Sequence, residues 1–199
     1  MQRTVTVVVA GLATGALTQL GQGLLPDGWS QAANAISPWV FVAFLVGSAM
    51  VSRPTAVVAG IATLVFALVG YYAMTELRLG IGGGTSSLVF WGLGALVGGP
   101  VFGLAGYAWR TAEHRYRAAA LGLLAAAFIA EGGYHAVVLS EPPIGAGFAI
   151  AGLLVPLILG RSRQDRIGAY VAVAPGLVMG AAGFTVAVWV YDTLAQLGS

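Results

Sequence analysis

Two side chains able to do acid–base chemistry, Glu131 and His135, stand four residues apart in an otherwise apolar stretch from Ala118 to Leu139. On a helix that spacing puts both on one face, with Tyr134 beside them. If the helix enters a bilayer near Ala118, Glu131 lies about 13 residues in, roughly 20 Å deep and two thirds of the way across. An ionisable group there costs on the order of 3 kcal/mol to insert, so it is expected to face a cavity or the bundle interior and to serve a purpose. A protonated carboxyl in an apolar pocket can donate its proton, and aromatic faces around it can hold a cation. Those two properties are what acid-initiated cyclisation of a prenyl chain requires. The acid protonates an alkene or epoxide, ring faces stabilise the carbocation, and a second polar group removes a proton, without a metal. The structural alternative is a carboxyl hydrogen-bonded to His135 or to a neighbouring helix.

The elements that must position these groups are membrane spans. The chain has 199 residues, 58% of them hydrophobic and 8% charged, with a mean hydropathy of +0.88. A soluble domain carries roughly 25% charged residues, so this is read as one integral membrane domain, residues 1–199. There are no cysteines, which removes disulfides, thiolate nucleophiles and thiolate metal sites from consideration. The net charge of +2 is no nucleic-acid signature, because the basic residues, all nine of them Arg, sit beside apolar runs. The N-terminal run, one Arg followed by apolar residues without a small-residue cleavage site, is expected to be the first span and not a removed signal.

Seven spans are predicted, six if spans two and three form a single broken hairpin or if the sixth does not cross. Span one runs from about Thr4 to Leu25 and contains Gly11-x-x-x-Gly15, a close-packing motif. Trp29 to Ser37 is expected to lie in the interface or dip back into the membrane. Pro38 opens a short second span, Trp39 to Val51, and Ser52-Arg53-Pro54 turns the chain into the third, Thr55 to Leu77. Leu79 to Ser87 is a glycine-rich loop; a phosphate cradle there lacks the Lys-Ser/Thr and the strand that such loops need, so a plain loop is expected. Span four, Leu88 to Trp109, carries Gly94-x-x-x-Gly98 and Gly99-x-x-x-Gly103 around Pro100. Span five holds Glu131, span six is Gly145 to Leu159, and span seven, Ile167 to Leu194, has Pro175 near its middle.

The arginines orient this division. Arg3, Arg53, Arg110, Arg115, Arg117, Arg161, Arg163 and Arg166 fall on one side and only Arg78 on the other. The positive-inside rule then puts the N-terminus in the cytoplasm and the C-terminus outside. On this topology Gln19, Gln22, Trp39, Tyr71, Tyr72, Trp91, Phe128, Tyr134 and Trp189 come to similar depth in the outer half. They are the candidate walls of a substrate pocket, although Trp and Tyr also collect at interfaces on their own account. Glu131 is the candidate proton donor, His135 its tuning partner, and Asp192 or Glu76 the second polar group. No Asp-rich diphosphate site, His-Glu-x-x-His or Gly-x-Ser-x-Gly is present, and the two histidines flank opposite ends of one span. Neither a metal nor a cofactor is expected.

Gly15-Ala-Leu-Thr18-Gln19-Leu-Gly-Gln22-Gly-Leu-Leu-Pro26, Gln31-Ala-Ala-Asn34, Gly70-Tyr71-Tyr72, Gly98-Gly-Pro100-Val-Phe-Gly103-Leu-Ala-Gly106 with Trp109-Arg110, and Glu131-Gly132 together resemble a family of small actinobacterial membrane proteins known only as a domain of unknown function. The likeness runs over most of the chain and implies no activity. In size, span number and acids within the membrane the chain is also similar, by analogy of architecture, to small membrane-bound terpene cyclases. The substrate-binding subunits of energy-coupling-factor vitamin transporters look similar in size and outward-facing pocket. They have six spans and a cytoplasmic C-terminus, which the arginine distribution disfavours. The expectation is therefore an all-α integral membrane bundle acting on a lipophilic small molecule as a terpene cyclase. The alternative is a transporter's binding component for a small organic cation or vitamin. A third reading is a scaffold that meets a helical partner through its glycine faces, with membrane lipids as its other neighbours.

Overall fold

The computed structural model describes residues 2–26, 29–80 and 84–197, without the side chains at 184–185, 187–188, 190–192 and 194–197. Of the glycine loop considered above as a phosphate cradle, residues 81–83 lie outside the described residues, Gly80 caps α4 and Thr85–Ser87 open α5. Helices are α1 (Gln2–Leu24), α2 (Trp29–Ala33), α3 (Ile36–Ser48), α4 (Arg53–Leu79), α5 (Thr85–Thr111), α6 (His114–Val137), α7 (Pro142–Leu159) and α8 (Arg163–Leu197). With α2 and α3 taken as one interrupted segment, seven of the described segments are long and apolar enough to cross a membrane. The protein is a polytopic helical bundle. Helices α4 and α5 reach two or three residues past the apolar runs at each end, because the backbone keeps its internal hydrogen bonds into the headgroup region.

Span two differs from expectation in place and in role. The helix occupies Ile36–Ser48, three residues earlier than predicted, and the polar stretch before it forms α2, folded against the outer end of α1. A break at Asn34–Ala35 separates the two. Helix α3 is short but central: Ala43 and Phe44 are fully buried, and it packs on α4, α5, α1 and α6.

The small residues explain how the helices come so close. A Cβ on Gly15 would collide with the Ala67 carbonyl of α4, and one on Gly106 with the Phe44 carbonyl of α3. Gly99 and Gly103 are likewise spent against α4. The adjacent Gly94 has nothing within 4 Å among the described residues. Of the three glycine motifs in the sequence, two are therefore used inside the fold.

Two packing groups result, α1 with α3, α4 and α5, and α6 with α7 and α8. At the arginine-rich end they are joined by a core of Phe44, Leu121, Leu124 and Ala169 with Trp109 against it. The same end is tied by polar contacts. The Arg117 guanidinium reaches the fully buried carboxylate of Asp165 at 3.2 Å and donates to the Trp109 and Ala112 carbonyls at 3.2 and 2.9 Å. The Trp109 indole N–H donates to the Leu159 carbonyl at 3.0 Å.

Candidate functional site

The polar groups of the outer half gather around the first turn of α3. A helix leaves its first amides without internal partners. In α3 the Ala35 N–H is spent on the Ala32 carbonyl at 3.2 Å, and Pro38 has no N–H to offer. Two amides remain, Ile36 and Ser37, and both donate to Glu131 Oε2, at 2.8 and 2.9 Å. Ala35 supplies no side-chain cap of its own. The carboxylate of α6 thus closes a helix start some 95 positions earlier in the chain. A negative group there is also favoured by the helix dipole.

The acid and the histidine take separate hydrogen-bond partners. His135, 2% exposed, turns its Nδ1 to Glu141 Oε2 at 3.1 Å and stacks on Phe148 with ring centroids 5.2 Å apart. The chain achieves this with a tight reversal after α6. Ser140 takes a φ of 58°, and the Glu141 N–H returns to the His135 carbonyl at 2.9 Å. Glu131 is therefore partnered by backbone and His135 by Glu141, so His135 is not the hydrogen-bonding partner of Glu131. Phe128, one turn before Glu131, packs on Phe41 and Phe148 at 6.2 and 6.4 Å.

Two residues on, and on another face of α3, Trp39 begins a second polar group. Its indole N–H donates to Thr18 Oγ1 of α1 at 2.9 Å, and its ring lies 6.1 Å from that of Tyr71. The Tyr71 hydroxyl donates to Gln22 Oε1 at 3.1 Å, and Tyr72 sits edge-on to Tyr71 at 5.3 Å with its hydroxyl 2.9 Å from Ser87 Oγ. Arg78, from the last turn of α4, donates to the Gln19 carbonyl at 2.9 Å. Gly23 makes room for it, since a Cβ there would overlap the guanidinium. Two atoms inside this group, Gln19 Oε1 and Gln22 Nε2, are buried without a hydrogen-bond partner among the described residues. Gln19 is 4% exposed.

Of the predicted site residues, the structure brings Gln19, Gln22, Trp39, Tyr71 and Tyr72 together, with Glu131 and Phe128 adjoining through α3. Trp91 packs on Phe90 at 5.1 Å on α5. Glu76 and Tyr134 are exposed at the outer surface, and Trp189 is 68% exposed on α8. The side chain of Asp192 lies outside the described residues. Thr18, Ser37, Arg78 and Glu141 were not singled out from the sequence. Arg78 did carry a signal, as the single arginine on the acid-rich side. Thr18 and Ser37 carried none, because small hydroxyl residues are common in packed membrane helices.

Fold and site together define a polytopic all-helical membrane protein with an interrupted helix at its centre and a buried polar group at the end opposite its arginine-rich one. Over residues 1–193 the chain matches the model of a family of unknown function, DUF6518, and it belongs to that family. No curated protein and no solved structure matches it.

Proposed function

We propose that this protein is the substrate-binding membrane component of a transporter, acting in the cell membrane. It takes a small, uncharged, ring-bearing solute of the vitamin kind at the outer end, between α1, α3 and α4. The observation that carries the reading is the pair of orphaned amide atoms, Gln19 Oε1 and Gln22 Nε2, beside the Trp39 and Tyr71 rings. A buried polar atom without a partner costs about 1–3 kcal/mol. A flat solute with a donor next to an acceptor would recover that energy while its ring lies against the aromatics. An interrupted helix beside the site fits the same reading, since transporters build substrate sites at such breaks. An organic cation suits the site less well, because Arg78 stands at its edge and the Glu131 carboxylate is already engaged.

Thermal unfolding in lipid, with nicotinamide and the nucleobases as probes, tests this. A saturable rise in melting temperature that vanishes in folded Gln19→Leu and Gln22→Leu proteins supports the reading. No rise with any probe would sink it.

Acid-initiated cyclisation of a prenyl chain stands second. It requires the Glu131 carboxyl free in an apolar chamber, whereas two backbone amides hold it and Phe128 packs below it. Turnover of a prenylated substrate by wild type and none by a folded Glu131→Gln protein would reverse the order of the two readings.

A further inference from the structure

At the arginine-rich end, α6 and α8 run side by side in the same direction, separated in sequence by α7. Their first turns are tied on one side by the Arg117–Asp165 pair. On the other side of that contact the two helices leave an open groove of about 510 Å³ whose walls are Ala118, Ala119 and Ile167 and whose mouth carries His114, Arg115 and Gln164. The walls are apolar and rise from the membrane surface towards its middle. The mouth is basic. Asp165, the acid in the first turn of α8, has its carboxylate occupied by Arg117 and by the Arg161 N–H, while its own N–H donates to Ser162 Oγ. Glu113 lies 3.5 Å from Arg115, with both side chains largely in solvent. Such an exposed pair is worth little and gives way to a stronger anion.

A groove with apolar walls and a cationic mouth, placed where the headgroups of one leaflet begin, has the shape and charge of a phospholipid. One acyl chain fits along the alanine face, and a phosphate fits at His114 and Arg115. We infer that this groove is a specific site for an anionic phospholipid of the arginine-side leaflet, selective over zwitterionic lipid. Basic recesses between transmembrane helices on that side recognise acidic headgroups by the same physics. The second groove of this end, between α1 and α4, is also apolar but has only Arg3 among its basic lining residues. It lacks the paired donors at its mouth.

The test uses the full chain reconstituted in phosphatidylcholine vesicles containing phosphatidylglycerol, extracted in neutral detergent, with the retained lipid identified by mass spectrometry. Wild type should retain phosphatidylglycerol in excess of its share of the vesicle. The His114→Gln, Arg115→Gln double variant should lose that preference about fivefold or more. Ala119→Leu, at an exposed wall position, should fill the chain seat and lose it as well. Arg53→Gln, which removes a charge from the same membrane face away from the groove, should keep it. A double variant or an Ala119→Leu protein with wild-type preference overturns the proposal. So does an Arg53→Gln protein that loses as much as the double variant, because bulk charge would then account for the retention.

Discussion

Glu131 holds the first turn of α3 through one oxygen and two amides, and this arrangement makes the effect of substitution depend on what is left to accept. Glu131→Gln keeps a carbonyl oxygen able to take both N–H groups, so it should stay folded with a modest loss. Glu131→Ala leaves two amides unpaired in a water-poor region and should destabilise by about 2 kcal/mol or more, read from reversible unfolding in detergent. A proton donor would give a different pattern, with Gln as damaging to activity as Ala. Gln19→Leu removes an orphaned acceptor, so without solute it should be neutral or slightly stabilising in the same measurement. The importance of Glu131 was readable from the sequence, because a carboxylate within an apolar run is expensive. Its partner was not readable, since Ile36 and Ser37 contribute backbone groups and backbone groups leave no mark in the residue order. The same holds for His135, whose carboxylate partner became Glu141 only through the reversal at Ser140.

Among the helices, glycines that look alike in sequence divide sharply by what they face. Gly106→Leu would push a side chain into the Phe44 carbonyl and should cost about 3 kcal/mol or prevent folding. Gly94→Ala, where a Cβ meets nothing within 4 Å among the described residues, should gain up to about 1 kcal/mol from helix propensity. Comparing the two variants by unfolding in one detergent separates packing glycines from merely permissive ones. The spans themselves were legible because twenty apolar residues in a row have few other uses. The interruption at Asn34–Ala35 was half legible. Asn34 and the polar residues before it marked a departure from a straight span, but hydropathy alone could not distinguish an interfacial segment from a broken helix.

Across the whole molecule, the Arg117–Asp165 pair ties the loops between α5 and α6 and between α7 and α8. Asp165 is fully buried, so Arg117→Ala should cost about 3–5 kcal/mol by stranding that carboxylate, whereas replacing both partners by Leu should cost less. The arginine distribution that suggested this topology is also testable. The chain has no cysteine, so single cysteines at Ser162 and Ser86 report cleanly on opposite faces. A membrane-impermeant maleimide added to intact cells should label Ser86→Cys and spare Ser162→Cys. Pairings between the two packing groups were beyond a sequence reading, because they join residues 50 to 100 positions apart in the chain. That separation also governs how the chain is made. Ile36 and Ser37 leave the ribosome some 95 residues ahead of Glu131. At ordinary elongation rates the start of α3 must wait on the order of 10 s for its acceptor. During synthesis the central helix therefore stays unfinished until α6 arrives, and the insertion machinery or membrane-surface water must shelter its open end in the meantime.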